Sequence, residues 1–258
     1  MSGGGRCVIY TSLTGGVDNL PVYDVLDSRF DYVCFSDDYP AGSRVGQWEI
    51  RPIPVWRRKN NVLRSRFAKL QPHRLLGDYE WSVWLDANVI VTGAGFYDIV
   101  DSAMRGDKLW CGVRHPWRDC AYDEARACLV HGKAGYFGVR RAMSYLHSHG
   151  HPRHYGLFEN NLILRCHNDP AVVAIDNEWW RLFRRCAQRD QLSLFHVFRT
   201  HSFAPGLLLE PEQCTRNVPF LRWVDHRPPV PLKGWPRLRR SLDIRLQLMF
   251  MKIRPIET

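Results

Sequence analysis

The sequence predicts a single α/β domain built on a mainly parallel sheet flanked by helices. Three observations lead there. Apolar, strand-like runs alternate with segments of helical spacing. The 258 residues, 45% hydrophobic and 12% aromatic, suffice for one sizeable core. Acids and amides gather where the strand-like runs end, as they do at the carboxyl edge of an open sheet.

The first strand, Cys7 to Ser12, runs into Tyr10-Thr11-Ser12-Leu13-Thr14-Gly15-Gly16. Such a hydroxyl-rich, glycine-containing turn lets backbone approach a nucleotide, which makes Thr11, Ser12, Thr14 and Gly15 candidate contacts, although it is neither a dinucleotide fingerprint nor a phosphate-binding loop. A second strand, Tyr32 to Ser36, ends in Asp37 and Asp38; Asp37 is suited either to reading a base or ribose or to forming the turn. Trp48 to Ile53 reads as a third strand. Asn60 to Leu70 then carries Val62, Leu63, Phe67 and Leu70 at helical spacing, and Pro72 ends it. Arg64, Arg66 and Lys69 on this helix either neutralise a diphosphate or form a solvated basic face.

Trp81 to Val91 reads as one buried strand broken only by Asp86 and Asn88. Residues two apart in a strand point the same way, so both side chains can offer oxygen to one hard cation such as Mg²⁺ or Mn²⁺ carrying a diphosphate. The alternative is a strand end serving the Gly93-Ala94-Gly95 turn. Leu109 to Val113 is a further strand, and helices are expected at Tyr122 to His131, Arg140 to His149, Ala171 to Ala187 and Gln191 to His201. Between them, Gly156 to Asn161 reads as a polar loop ahead of the strand-like Leu162 to Arg165, with Glu159, Asn160 and Asn161 suited to a hydroxyl-rich acceptor. Asp190 is placed to cap a helix, to act catalytically, or both, with Gln191 beside it. Late in the chain His226 is a candidate metal ligand and Lys233 a candidate phosphate contact.

Charge narrows the partners. Lys plus Arg is 36 against 26 Asp plus Glu, a net +10 that favours an anionic partner. The tail from 233 to 258 places Trp235, Leu238, Leu242, Leu246, Met249 and Phe250 at helical spacing among arginines, as a segment lying on an anionic membrane would, or a terminal helix docked on the core. No run of 18 apolar residues and no signal-peptide core is present, so the expected location is cytoplasmic, with peripheral membrane contact on that face. The eight cysteines form no CxxC pair and read as small buried hydrophobes in a reducing compartment.

The ordered set formed by the Tyr10 to Gly16 turn, Trp48 to Ile53, Lys69 to His73, Trp84-Leu85-Asp86-Ala87-Asn88 and Arg189 to Ser193 resembles the glycosyltransferase-like domain of the plant TOD/MUCI type, which is also found in bacteria. The resemblance implies a GT-A-like (Rossmann-like) fold, a nucleotide-sugar donor and Mn²⁺ or Mg²⁺ at a DxD-like motif. Asp86 and Asn88 stand at that motif, with a neutral amide in place of the second acid, and His226 is a third metal candidate. With the residues read above, the expected donor contacts are Thr11, Ser12, Thr14, Gly15, Asp37, Arg64, Arg66, Lys69, Asp86 and Lys233. Asp190 and Glu159 are the expected catalytic residues, orienting the acceptor or serving as base if the reaction inverts, and Asn160, Asn161 and Gln191 are the expected contacts to a glycan or lipid-linked acceptor. The expected layout is a transferase domain over 1–232, with a nucleotide-binding half at about 6–115 and an acceptor half at about 116–232, followed by the basic tail. Rival readings are a non-catalytic protein binding nucleic acid or an anionic membrane, and a metal-dependent hydrolase. The acids at strand ends argue against a nucleic-acid partner, and the hydrolase would need three clearer metal ligands.

Overall fold

The structure is a computed structural model that describes residues 6–16, 18–53, 60–225 and 249. His226, Lys233 and the tail, apart from Met249, lie outside the described residues. In chain order the elements are β1 (Cys7–Leu13), β2 (Phe30–Ser36), β3 (Arg44–Val45), β4 (Trp48–Arg51), α1 (Asn61–Leu70), β5 (Trp81–Leu85), β6 (Val89–Val91), α2 (Gly95–Met104) and β7 (Trp110–Arg114). There follow α3 (Ala121–Val130), α4 (Tyr136–Ser148), β8 (Phe158–Arg165), α5 (Pro170–Arg185), a 3₁₀ turn (Asp190–Leu192), α6 (Leu194–Thr200), β9 (Gly206–Leu207) and β10 (Leu221–Trp223).

Eight strands form one sheet in the order β3-β4-β2-β1-β5-β8-β7-β9, while β6 and β10 pair separately. β1, buried along its whole length, lies parallel to β2 on one side and to β5 on the other. A strand covered on both faces reads as an unbroken apolar run, which is why β1, β2 and β5 are visible in the sequence. The sheet is mainly parallel, as expected; β8 runs against both of its neighbours. Alternate side chains of β1 serve two cores: Cys7 and Ile9 pack with Phe96 and Val100 of α2, and Val8 and Tyr10 pack with α1, α5 and α6. Chain order makes β1 the point of reversal. The chain leaves it toward β2 and β4, then returns to lay β5 on its other side.

Several elements differ from expectation for identifiable reasons. The strand expected from Trp81 to Val91 breaks after Leu85. Asp86 N–H makes a last bond to the Asn161 carbonyl at 2.9 Å, and Asp86 C=O accepts Val89 N–H at 2.9 Å to close a turn. β6 then leaves the main sheet to pair with β10. The loop expected over Glu159 to Asn161 lies inside β8, where Phe158 pairs with Arg114 and Leu162 with Leu85. Asn160 there adopts φ 61°, and β7 shifts register between Gly112 and Arg114, so the polar triplet sits in an irregular ladder. Asp190 caps no helix with its side chain. α2 follows directly after Gly93-Ala94, where a turn alone was expected, and Phe96, Tyr97 and Val100 form its buried face. The Asn60 cap of α1, whose side chain accepts Leu63 N–H at 3.0 Å, and the Asp169 cap of α5, bonded to Ala171 N–H at 2.8 Å, set those helix starts.

A buried ion pair locks the layers around the site. Arg165 of β8 donates to Asp176 of α5 at 2.7 Å, to the Tyr10 hydroxyl at 2.8 Å and to the Lys69 carbonyl. Gln71 adds a bond to the Asp176 carbonyl at 2.8 Å. Buried charge of this kind persists only when paired and hydrogen-bonded, and here it fixes the carboxyl end of α1 against β1 and β8. All eight cysteines are free, and burial pushes the Cys34 thiol up to about 12. Among the described residues no helix is long and apolar enough to cross a membrane.

Candidate active site

The carboxyl ends of β1 and β5 diverge where the sheet order reverses. In open α/β sheets that divergence leaves a crevice for ligands. Here it is a cleft of about 250 Å³ lined by Ser12, Leu13 and Thr14 from β1 and its turn, Asn61, Val62, Ser65 and Arg66 from α1, Asp18, and Trp84, Asp86, Ala87 and Asn88 from the end of β5. A second cleft of about 230 Å³ adjoins it, sharing Asp18, Ala87 and Asn88 and continuing to Arg222 and Asp225.

α1 supplies one wall through spacing. Asn61, Ser65 and Lys69 recur every four residues and form a polar stripe facing the ends of β1 and β5. Thr14 donates to the Asn61 carbonyl at 3.3 Å, and Ser12 and Ser65 share a hydroxyl contact at 2.8 Å. Gly15, at φ 72°, packs so closely on Asn61 that a Cβ would lie 2.0 Å from its amide nitrogen, so the turn reaches α1 only because this residue is glycine.

Beneath the cleft lies a charge cluster. The Lys69 ammonium, 2% exposed, sits 2.6 Å from Asp190 and 3.4 Å from Asp86, with the Trp84 ring centroid 5.5 Å away. Arg66 approaches Asp190 at 3.7 Å and stays 26% exposed on the cleft wall. Burial alone would raise the Asp190 carboxyl, but Lys69, Arg66 and Arg189 outweigh it and hold it well below the usual carboxylate range. Asp86 Oδ1 accepts from Trp84 Nε1 at 2.7 Å and faces Lys69. Among the described residues its Oδ2 and the Asn88 amide have no hydrogen-bond partner, and both residues line the cleft. These two oxygen sources suit a hard cation that takes few protein ligands and completes its shell with phosphate and water. The group of His, Cys and carboxylate side chains that comes within 4.8 Å of one another is elsewhere, at Cys120, Asp123 and His154.

The structure therefore brings Ser12, Thr14, Arg66, Asp86 and Asn88 onto one wall. It places other candidates differently. Thr11 is fully buried within β1, and Arg64 turns to Asp37 at 2.5 Å, so those two residues neutralise each other. The basic face expected of α1 is not solvated, because Arg64 and Lys69 are buried. Asn161 donates to Glu159 at 3.1 Å and Thr215 at 2.8 Å; Gln191 donates to the carbonyls of Phe158 and Glu159. Asn160 is 1% exposed, and neither atom of its amide finds a partner. Glu159 is buried under Arg216, with its second oxygen accepting from Thr215 at 3.0 Å. Sequence reading missed Asp18, Asn61, Ser65, Thr215, Arg216 and Trp223. The four-residue spacing of Asn61, Ser65 and Lys69 was the available signal for two of them.

A sheet that reverses at β1, with helices on both faces and a crevice at the reversal point, defines an α/β domain of the doubly wound type. Residues 27–207 match the model of the TOD1/MUCI70 glycosyltransferase-like domain, and the chain belongs to that family. Among solved structures it is similar to the galactosyltransferase LgtC in complex with donor and acceptor sugar analogues, at 14% identity and TM-score 0.44 over 78% of this chain and 72% of that one. It is also similar to the glycosyltransferase GlyE of Streptococcus pneumoniae TIGR4, at 10% identity and TM-score 0.48 over 97% of this chain and 64% of that one. A third is the apo bifunctional glycosyltransferase WbbM, at 11% identity and TM-score 0.41 over 94% of this chain and 44% of that one. The chain thus spans less than two thirds of GlyE and of WbbM, and no curated protein matches it. The assignment rests on the family match.

Proposed function

We propose that the protein transfers a sugar from a nucleotide-diphosphate donor to a hydroxyl of a glycan or lipid-linked glycan, with a divalent cation, Mn²⁺ or Mg²⁺, at Asp86-Ala87-Asn88. The observation that carries this reading is the position of Asp86 and Asn88 on the cleft between the diverging ends of β1 and β5, with Asp86 Oδ2 and the Asn88 amide oxygen lacking a hydrogen-bond partner among the described residues. The nucleotide-binding half, about 6–115, holds the donor. The half at about 116–232 receives the acceptor.

In the transfer the bond from the sugar's anomeric carbon to the diphosphate oxygen breaks, a bond to the acceptor oxygen forms, and the acceptor hydroxyl passes its proton to the departing diphosphate. Charge develops on the departing diphosphate. When bound, the cation would neutralise that charge as a Lewis acid. Asp86 Oδ2 and the Asn88 amide would hold it; Arg66, on the same wall, adds a fixed positive charge toward the phosphates. Ser12 and Thr14, lining the same cleft, orient the donor. Lys69 is too buried to touch a substrate and keeps Asp86 aimed. Asp190, clamped by Lys69 and Arg66, is a weak proton acceptor, so it serves by positioning those cations.

Thermal shift against UDP-, GDP-, CMP- and dTDP-sugars, with and without Mn²⁺, tests the proposal. One nucleotide class should stabilise the protein in a metal-dependent way, by about 2.7 kcal/mol at a hundredfold excess over Kd. Asp86→Ala should abolish that response with its own melting otherwise preserved. A response retained in Asp86→Ala would refute the assignment.

A further inference from the structure

A larger cleft than either of those at Asp86 lies apart from that site. It measures about 880 Å³ and opens at the carboxyl end of β7, bounded by residues 114–119, 154–158 and 203–211. β7 runs in the same direction as β5, so this cleft lies on the same edge of the sheet. Its floor is aromatic, formed by Phe158, Phe195, Phe198 and Phe203. At its rim Trp117 is 67% exposed and Tyr155 45% exposed.

Trp117 is exposed but held. The His115 ring meets it edge-on at 5.8 Å, and the Arg216 guanidinium lies 5.1 Å from its centroid. His115 Nδ1 accepts the N–H groups of Trp117 at 3.3 Å and Arg118 at 3.1 Å, which fixes the turn. The facing loop is stitched to this turn: Gly156 N–H donates to the Asp119 carbonyl at 2.8 Å and His115 N–H to the Leu157 carbonyl at 2.9 Å. Gly156 adopts φ 114°, and a Cβ there would come within 2.3 Å of Phe195, so this loop descends onto the aromatic floor only as glycine. A pocket organised before binding loses little entropy when filled.

The lining specifies a ligand chemistry. Arg118 is committed to Glu124 at 2.6 Å and His154 to Asp119 at 2.7 Å; of the lining cations Arg114, exposed at the end of β7, has no ion pair among the described residues, so the cleft offers one cation at its edge and no cluster of them. Aromatic faces with paired polar groups at the rim suit a neutral molecule that presents C–H bonds on one face and hydroxyls around it, which describes a pyranose; its polarised C–H bonds are drawn to the negative face of an indole. Arg216 lies between Trp117 and the strand that pairs with the residues after Asn88. Its guanidinium stacks on Trp223 at 3.8 Å, and Trp223 pairs with Val89, the residue after Asn88.

We infer that this cleft is the acceptor site, taking a saccharide with one pyranose ring stacked on Trp117 and the reacting hydroxyl directed along Arg216 toward Asp86 and Asn88. The role of acceptor rests on the transferase reading above; saccharide binding at Trp117 does not. Saturation-transfer NMR on the full chain tests it with methyl glycosides of glucose, galactose, mannose, rhamnose and N-acetylglucosamine and with maltotriose and chitotriose. At least one should receive saturation on its ring C–H protons, and Trp117→Ala should weaken that binding about tenfold or more. Tyr155→Ala, a second exposed site on the rim, should also weaken it, and the metal-dependent nucleotide response should persist in both variants. No saturation with any probe, or binding unchanged in Trp117→Ala, overturns the inference. A nucleotide response without saccharide binding defeats this inference alone. Saccharide binding at Trp117 without a nucleotide response defeats the transferase reading and leaves the saccharide site standing.

Discussion

Two clefts share one edge of the sheet, and they are built from different material. The Asp86 cleft is made of strand ends and one helix face, with its charges fixed by a buried ammonium. The Trp117 cleft is made of loops pinned by backbone hydrogen bonds over an aromatic floor. The first is small, with acids and cations held together beneath it, which suits the proposed chemistry on a diphosphate; the second is larger, with an aromatic floor and most of its charges paired, which suits the proposed recognition of a sugar. The difference teaches that one edge can divide the work, with rigid strands placing the charges and loops shaping the partner.

The strongest way to break this comparison is to remove the ammonium. Lys69→Met leaves Asp190, 6% exposed, facing Asp86 without its closest cation. The expected cost is about 3–5 kcal/mol in chemical denaturation, with recovery of a large part in the Lys69→Met, Asp190→Asn double variant. A loss under 1 kcal/mol, on the order of an exposed pair, would mean that the cluster is solvated and not a rigid base for Asp86.

Arg216→Ala probes the seam between the clefts. It strips the cation from between Trp117 and Trp223 and leaves one buried oxygen of Glu159 unpaired, while Thr215 and Asn161 keep the other. About 1–3 kcal/mol of stability should be lost. Saccharide binding should weaken more than nucleotide binding, measured by titrating each ligand into the variant. Equal losses would show that the two clefts are not separable.

The smallest effect is a pH dependence confined to the second cleft. Burial lowers the His115 pKa, partly opposed by Glu124, and Nδ1 must stay unprotonated to accept the N–H groups of Trp117 and Arg118. A folded pKa depressed below the free value of 6.5 means that the contribution is complete above about 6.5 and is lost as pH falls through the folded value. Saccharide binding should therefore decline as pH falls below the free value of 6.5 in wild type, while the nucleotide response of Trp117→Ala and wild type stays alike. His115→Asn, which has no titratable ring, should abolish that decline; an unchanged profile would separate His115 from the Trp117 platform.

The two regions were also unequally legible. β1, β2 and β5 appear in the sequence because central parallel strands are apolar on both faces, and Asp86 and Asn88 stand out because they interrupt such a run. The break after Leu85 did not show, since it depends on Asn161 offering a carbonyl from β8 and on β10 recruiting Val89 to Val91. Glu159 to Asn161 look like loop residues by composition, and only pairing with distant β7 and β5 makes them strand. Asp190 has the residue type and position of a cap, yet the attraction of Lys69, distant in sequence, takes its carboxylate instead. Trp117 carried no periodic signal, because its role comes from His115 beside it and Arg216 far along the chain.

The central claim is that a divalent cation and a nucleoside diphosphate meet at Asp86 and Asn88. Water-proton relaxation of Mn²⁺, measured with the protein during titration with UDP and GDP, tests it most directly. The account predicts a ternary enhancement with at least one of them that vanishes in Asp86→Ala and survives in Trp117→Ala. An enhancement indifferent to Asp86, or one lost with Trp117, would contradict it.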